Sequence, residues 1–485
     1  MIQDFIDGKW VNSLGNTFVP VVNPANGQEL TSCPLGTVAD VDRAVLSASQ
    51  AFLEWRSVPV VERIQYLFQL KTLLDANLDE IAKRITQEHG KTLAEARAGV
   101  RRGIQMVETA TGMPTFQMGE FSEDIARGID CYSNRRPLGV FAGIAPFNFP
   151  AMVPFWFWPF AIASGNTFVL KPSERVPLTH QLIFELIEKV RLPKGVFNLI
   201  HGGKEVVDRL CTHPDVKGVS FVGSTPVARH VYTTATAQGK RVQALGGAKN
   251  FMVILPDAVI DKAVATALET VIGCAGERCL AGSVIVCVGE TTYQQVSERM
   301  VALASDISVG DGMDPRVQMG PLISKESKSR VLNLIENSLK EGGSMLLDGR
   351  KNVDHLPGYF LRPTVIGNVV ESMEIAKEEV FGPVVLLSQV KTLDDAIQWI
   401  NRNSYANTTT LFTSNGAAAR KFSNEVDPSM IGINIGVPAP MSFFSFGGTK
   451  DSFFGDIKVH GAEAVNFFTD KRTITQRWMA DSSIW

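Results

Sequence analysis

What the chain lacks narrows its class first. Only six cysteines occur in 485 residues and none forms a CxxC pair, so no disulfide framework or zinc ribbon is expected. That pattern favours a reducing compartment, the cytoplasm, and no metal site. Charge of one sign is also missing: 47 lysines and arginines face 50 aspartates and glutamates, a formal charge of −3. Such a balance argues against general attraction to nucleic acid or to an anionic membrane surface. The expected partners are small molecules or further copies of the chain. The opening residues, Met1 to Trp10, carry acids and turn formers instead of a basic start and an apolar stretch, so no export or transit signal is read there. The most membrane-like run, Phe147 to Ala163, is too short for an ordinary span and contains Pro150, Pro154 and Pro159. It reads as core helix or pocket wall.

What is present is globular: 45% hydrophobic and 20% charged residues in a length that suits roughly three domain-sized units. From Val38 to Thr111 the apolar spacing is helical, with Ile64, Leu67, Leu70, Leu74, Leu78, Ile81 and Ile85 tracing one stripe that Gly90 ends. The helix from about Leu93 to Thr111 buries Ala96, Val100, Ile104 and Val107, which leaves Arg102 facing solvent or a cleft. Between Leu138 and Gly247, apolar strand-like runs (Gly139 to Ala145, Thr167 to Leu170, Val196 to Ile200, Val216 to Val222) alternate with amphipathic helices. Alternation of this kind predicts a parallel sheet covered on both faces, with ligands at the carboxyl ends of its strands. A second alternating region, Phe251 to Gly436, is expected to form a separate α/β domain. The segments Phe121 to Arg136 and Val465 to Trp478 read as strand-like pieces outside both, with exposed edges that invite subunit pairing.

The chemistry centres on Cys279, in the run Gly276-Glu277-Arg278-Cys279-Leu280-Ala281-Gly282. Placed between a helix (Asp261 to Cys274) and a strand (Ser283 to Val288), with Arg278 beside it to favour thiolate, it reads as a nucleophile. A buried structural cysteine is the competing reading. Other runs are equally two-sided alone. Asn148, in Ala145-Pro146-Phe147-Asn148-Phe149-Pro150, is an amide donor for an oxyanion or a turn residue between prolines. Lys171 and Glu174, in Lys171-Pro172-Ser173-Glu174, are nucleotide ligands at a strand end or a surface ion pair. Gly223 and Ser224 stand where a strand hands over to a helix near Thr225-Pro226, a position suited to phosphate oxygens.

Taken together and in order, these runs, with Leu245-Gly246-Gly247-Ala248-Lys249-Asn250 and Glu379-Val380-Phe381-Gly382-Pro383, resemble the aldehyde dehydrogenase superfamily over nearly the whole chain. Gly143 to Met152, Gly247 to Asn250, and Asp451-Ser452-Phe453-Phe454-Gly455-Asp456 resemble its CoA-acylating methylmalonate-semialdehyde dehydrogenase branch. The resemblance implies an α/β fold: a Rossmann-type NAD-binding domain over 1–119 and 138–247, an α/β catalytic domain over 248–447, and a β-strand oligomerisation flap over 120–137 and 448–485. It implies Cys279 as nucleophile with Asn148 in the oxyanion hole. It implies Ala145, Phe147, Lys171, Glu174, Arg175, Gly223, Ser224, Gly246 and Glu379 as NAD ligands, with Glu378 a neighbour open to confusion with Glu379. The carboxylate of Glu174 favours NAD over NADP, since it would repel a 2′-phosphate.

Two departures are informative. The family's later glycine in the phosphate turn is Ala228 here. Where hydrolytic members carry the glutamate that activates water, this chain has Ala244, which cannot take a proton. A thioester on Cys279 would then wait for another nucleophile, and coenzyme A fits; Glu277 as a substitute base is the alternative. Arg102 and Arg278 match the arginines that hold a substrate carboxylate. The implied activity is oxidative decarboxylation of malonate or methylmalonate semialdehyde to acetyl-CoA or propionyl-CoA by a homotetramer or homodimer. A hydrolytic NAD-dependent dehydrogenase of another carboxylated semialdehyde is the runner-up, and a catalytically silent NAD-binding scaffold the reading from a different class.

Overall fold

The computed structural model describes residues 2–353 and 355–479, so positions 480–485 of the expected flap lie outside the described residues. Two large sheets organise the chain. The first has eight strands in the order Lys9–Val11, Asp4–Ile6, Phe197–Leu199, Thr167–Lys171, Val140–Ile144, Val216–Val222, Arg241–Leu245 and Phe453–Phe454. Its five central strands run parallel. Val140–Ile144 and Thr167–Lys171 are buried at every position, which is why they read as unbroken runs and not as alternation: helices cover both faces. The second sheet has seven strands, with Phe251–Ile254 paired in parallel to Val284–Val288 on one side and Thr408–Phe412 on the other.

Three local expectations need correction. The stripe from Ile64 to Ile85 is buried throughout, but it spans two helices, Val60–Ala76 and Leu78–His89. Asn77 breaks them by bonding its Nδ2 back to the Leu73 carbonyl at 2.7 Å, the local competition with helix that asparagine offers. The tail is not strand from Val465 onward: Gly461–Phe468 is helix, and only Thr469–Gln476 is strand, paired antiparallel with Ile129–Pro137 in a three-stranded flap that also holds the exposed Phe121–Ala126. Finally, Phe453–Phe454 is an antiparallel edge strand on Arg241–Leu245, so part of the segment after 447 belongs to the first sheet. Ala244 pairs there with Phe221 and Phe454 and is fully buried.

The path into Cys279 is not a plain helix-to-strand turn. The helix Ile260–Ile272 ends, and Cys274 and Ala275 then take left-handed backbone at φ 55° and 53°. Gly276 follows at φ +77°, and a Cβ there would stand 2.1 Å from the Gly382 carbonyl oxygen. Backbone therefore packs on backbone, and the two non-glycine residues in the left-handed region store strain beside the candidate nucleophile. Phe147 to Ala163 is core, as expected, with Pro154–Trp156 and Trp158–Ala163 fully buried. Among the described residues no helix is long and apolar enough to cross a membrane.

Candidate active site

A cleft of about 880 Å3 opens between the two sheets and contains most of the predicted site residues. Ala145, Phe147 and Asn148 enter it from the carboxyl end of Val140–Ile144, and Lys171 and Glu174 from that of Thr167–Lys171. Gly223 and Ser224 come from the end of Val216–Val222, Gly246 from that of Arg241–Leu245, and Cys279 and Glu379 from the other sheet. Arg175 is exposed and does not line the cleft. Neither do Arg102 and Arg278.

The Cys279 backbone is held from two strands at once. Asn250 Nδ2 donates to the Cys279 carbonyl at 2.9 Å and Asn407 Nδ2 donates to the same oxygen at 3.0 Å. Asn250 also accepts from the Thr408 amide at 3.2 Å, which ties both asparagines to one sheet register. Asn148 sits across from this loop, its Nδ2 donating to the Glu277 carbonyl at 3.1 Å. Lys91 fixes the other side of Asn148: Nζ donates to its carbonyl at 2.5 Å, lies 3.8 Å above the Phe149 ring, and reaches the Cys274 sulfur at 3.4 Å. The Cys274 amide in turn donates to Glu95 Oε1 at 2.6 Å, while the other carboxylate oxygen of Glu95 closes a capping box with Thr92.

The electrostatics correct one expectation directly. Burial pushes the Cys279 thiol up to about 12, Glu379 adds to the rise, and Arg278 opposes it without prevailing. The side chain rests as a thiol. The Arg278 guanidinium lies against Gly273, where a Cβ would stand 2.6 Å from Nη2, and that nitrogen is 3.7 Å from the Cys274 sulfur. Arg102 donates from Nη2 to the Pro440 carbonyl at 2.6 Å and from Nη1 to Met441 Sδ at 3.3 Å. Both forks are engaged by protein atoms, so a substrate carboxylate would have to compete with them. Burial pushes Glu379 up to about 7, against the bond from the Ala248 amide, and pulls Lys249 down to about 7. Lys249 donates to the Ile375 and Glu378 carbonyls at 2.6 and 2.8 Å, which holds the segment that presents Glu379. Glu277 is fully buried, accepts from the Ile323 amide at 3.2 Å, and is pushed by burial up to about 8. Protonated at neutral pH, it is a poor base.

The dinucleotide-type features fit one another. The Thr225–Thr236 helix begins at Ser224 with Ser224 to Val227 lining the cleft, and Gly247 leaves room that a Cβ would fill, 2.8 Å from Glu379 Oε2. Lys171 Nζ lies 3.3 Å from Glu174 Oε2; burial works against the Glu174 charge, yet Lys171 holds the carboxyl below its ordinary value. Ala228, the departure from the glycine pattern, is buried within that helix and does not line the cleft. No cluster of three or more histidine, cysteine, aspartate or glutamate side chains able to hold a metal occurs among the described residues.

Sequence reading missed Lys91, Glu95 and Asn407, and assigned Asn250 no role. The available signals were a lysine in the break between two helices and a Thr92-x-x-Glu95 capping pattern, both of which say local structure and nothing of a distant asparagine.

The sequence model of the Aldehyde dehydrogenase family matches residues 10–474. A malonate-semialdehyde dehydrogenase of Halalkalibacterium halodurans is 47% identical over 98% of both chains, and malonate-semialdehyde dehydrogenase 1 of Oceanobacillus iheyensis is 46% identical, also over 98% of both. The crystal structure of methylmalonate-semialdehyde dehydrogenase from Oceanimonas doudoroffii superposes with a TM-score of 0.98 at 41% identity over 100% of each chain. A Sinorhizobium meliloti 1021 protein described as a methylmalonate-semialdehyde dehydrogenase, complexed with NAD, does so at 0.97 and 39% over 99% of each. The Cys279 loop, an amide donor opposite it and a cleft between two sheets thus occur in a chain that belongs to the aldehyde dehydrogenase family.

Proposed function

We propose that the protein oxidises malonate or methylmalonate semialdehyde with NAD and transfers the decarboxylated acyl group to coenzyme A. The observation that carries the acyl transfer is the buried Ala244 where a hydrolytic base would stand, together with a Glu277 that burial keeps protonated. The relatives named for these semialdehydes support the substrate class. The unit around the eight-stranded sheet would hold NAD, with Lys171 and Glu174 at one ribose, Gly223, Ser224 and the following helix N-terminus at the phosphates, and Glu379 at the other ribose. Bound there, NAD supplies the hydride acceptor.

The chain's own residues do the rest. Cys279 Sγ loses its proton and bonds to the aldehyde carbon, and the resulting oxyanion is met by Asn148 Nδ2 and the Cys279 amide. Asn148 must first release the Glu277 carbonyl, a weak bond for an oxyanion to displace. Glu379, pushed up to about 7 and acting on Cys279 to raise the thiol, would accept its proton. Once the thioester exists, the β-carboxylate C–C bond breaks, carbon dioxide leaves, the electron pair enters the thioester carbonyl, and the resulting enolate takes a proton from water at its α-carbon to give the acetyl or propionyl thioester. The coenzyme A thiolate then takes the acyl group and Cys279 leaves. Arg102 and Arg278, which do not line the cleft, would have to leave Pro440, Met441 and Cys274 to orient the carboxylate before that loss. The free edges of Thr469–Gln476 and Met430–Ile433 suit pairing with another copy, so a homo-oligomer is part of the proposal, and six free cysteines suit the cytoplasm.

Supplying malonate semialdehyde and NAD should give sustained NADH only when coenzyme A is present, with acetyl-CoA as product by mass spectrometry. Equal turnover without it, yielding free acid, would favour the hydrolytic runner-up.

The raised thiol has a pH signature. Alkylation of Cys279 by iodoacetamide without NAD, followed at its peptide by mass spectrometry, should keep rising with pH beyond 9, because thiolate forms only as the pH approaches about 12. A plateau with a midpoint below 8.5 would mean that Arg278 prevails after all.

If Lys91 works by holding Asn148, then Lys91→Met should lower the rate of thioester formation about tenfold or more, within the range seen when oxyanion donors are lost. In an Asn148→Ala background the same change should cost little further. Additive losses in the two backgrounds would make Lys91 a general packing residue.

A further inference from the structure

A second cavity, of about 650 Å3, lies at the opposite end of the nucleotide sheet and is walled by five arginines, Arg56, Arg63, Arg135, Arg136 and Arg472, against a single aspartate, Asp470. Pro137 and Leu138, in its wall, lead into Val140–Ile144, whose far end opens on the cleft; the separation is roughly 20 Å at strand rise. In a chain with a net charge of −3, this is a marked local surplus of positive charge.

None of these five guanidinium groups lies within ion-pair distance of a carboxylate among the described residues. Arg63 is the most telling. It is 5% exposed, and it donates only to neutral acceptors: the Ala163 carbonyl at 2.9 Å, the Val58 carbonyl at 2.6 Å and Gln117 Oε1 at 3.4 Å. Burial pulls it down to about 10. Gly165 makes the room, since a Cβ there would stand 2.9 Å from Nη1. Arg135 likewise donates to Thr469 Oγ1 and Asn466 Oδ1 at 3.2 and 2.8 Å, both neutral. Asp470 stands opposite Arg136 in the strand register, but its carboxylate turns to Arg241 at 3.4 Å. Arg136, Arg472 and Arg56 are exposed at the rim. A guanidinium buried without a counter-ion is destabilising, and four more beside it repel it; an occupant with several negative charges removes both penalties.

We propose that this cavity is a binding site for a compact polyanion, a molecule carrying two or more phosphate or carboxylate groups, distinct from the cleft at Cys279. Arg63 forms its fixed floor. Arg136 and Arg472, on neighbouring strands of the flap, close on the ligand from the rim with bidentate bonds, and Arg56 approaches from the end of the Val38–Trp55 helix. Because the flap supplies two of the ligands, occupancy ties the flap to the nucleotide-binding unit.

The test uses the full chain saturated with NAD, so that the cofactor's own phosphate site is filled. Inorganic pyrophosphate and citrate are titrated separately by calorimetry, which distinguishes phosphate from polycarboxylate ligands. The proposal expects at least one of them to bind saturably at one site per chain, and at least tenfold more weakly in Arg136→Gln/Arg472→Gln, with the CoA-dependent turnover of that variant kept. It also expects weakening as sodium chloride rises. Failure of both anions to bind overturns it, as does unchanged affinity in the double variant. Sedimentation velocity gives the remaining outcome: a change in subunit number in the double variant, with no anion binding in either protein, would mean that the arginines meet an acidic surface of another copy, and it too overturns the proposal.

Discussion

The two hydrogen bonds that the Asn250 and Asn407 side-chain amides donate to the Cys279 carbonyl are the constraint from which the site follows. Asn250 immediately precedes the strand Phe251–Ile254 and Asn407 immediately precedes Thr408–Phe412, and these strands are paired with Phe251 opposite Thr409. A shift of one residue in that register would carry one asparagine away and turn its side chain to the other face. The position of Cys279 is therefore a property of the seven-stranded sheet, not of its own loop. The loop supplies the rest by close packing: Gly276 lies so near the Gly382 carbonyl that movement of the Cys279 segment must also move the segment that carries Glu379 and Phe381.

Burial governs how the charges at the site behave. It raises Cys279 and Glu379 and lowers Lys249, so the carboxyl and the amine both arrive near neutrality from opposite sides. Both can change protonation at working pH, while the thiol at about 12 stands well above them, so its proton leaves only at a cost that bonding to the aldehyde must offset. Ala244, buried in its strand, adds no group that could activate water against a thioester. Slow hydrolysis and dependence on a thiol acceptor are what the proposed mechanism expects of a site without that base.

Much of this was legible in the chain. The alternating runs of Leu138 to Gly247 became a parallel sheet because continuous apolar strands can be buried only between two helical layers, and the carboxyl ends of Val140–Ile144 and Thr167–Lys171 then had to bring Asn148 and Lys171 to one cleft. What was not legible depends on contacts far apart in sequence. Lys91 meets Asn148 across 57 residues and Asn407 meets Cys279 across 128, and no periodicity reports such distances. Arg278, adjacent to Cys279, suggested a thiolate by proximity along the chain; the fold instead turns its guanidinium to Cys274. The break at Asn77 and the helix Gly461–Phe468 were missed for a smaller reason, since apolar spacing shows which face is buried but not where a side chain captures a backbone carbonyl.

The central claim is that Cys279 carries an acyl group that waits for a thiol. Intact-protein mass spectrometry after mixing the enzyme with malonate semialdehyde and NAD, without coenzyme A, tests it most directly. The account requires an acetyl adduct that maps to Cys279 and disappears when coenzyme A is added. An unmodified chain while NADH and free acid accumulate would contradict it.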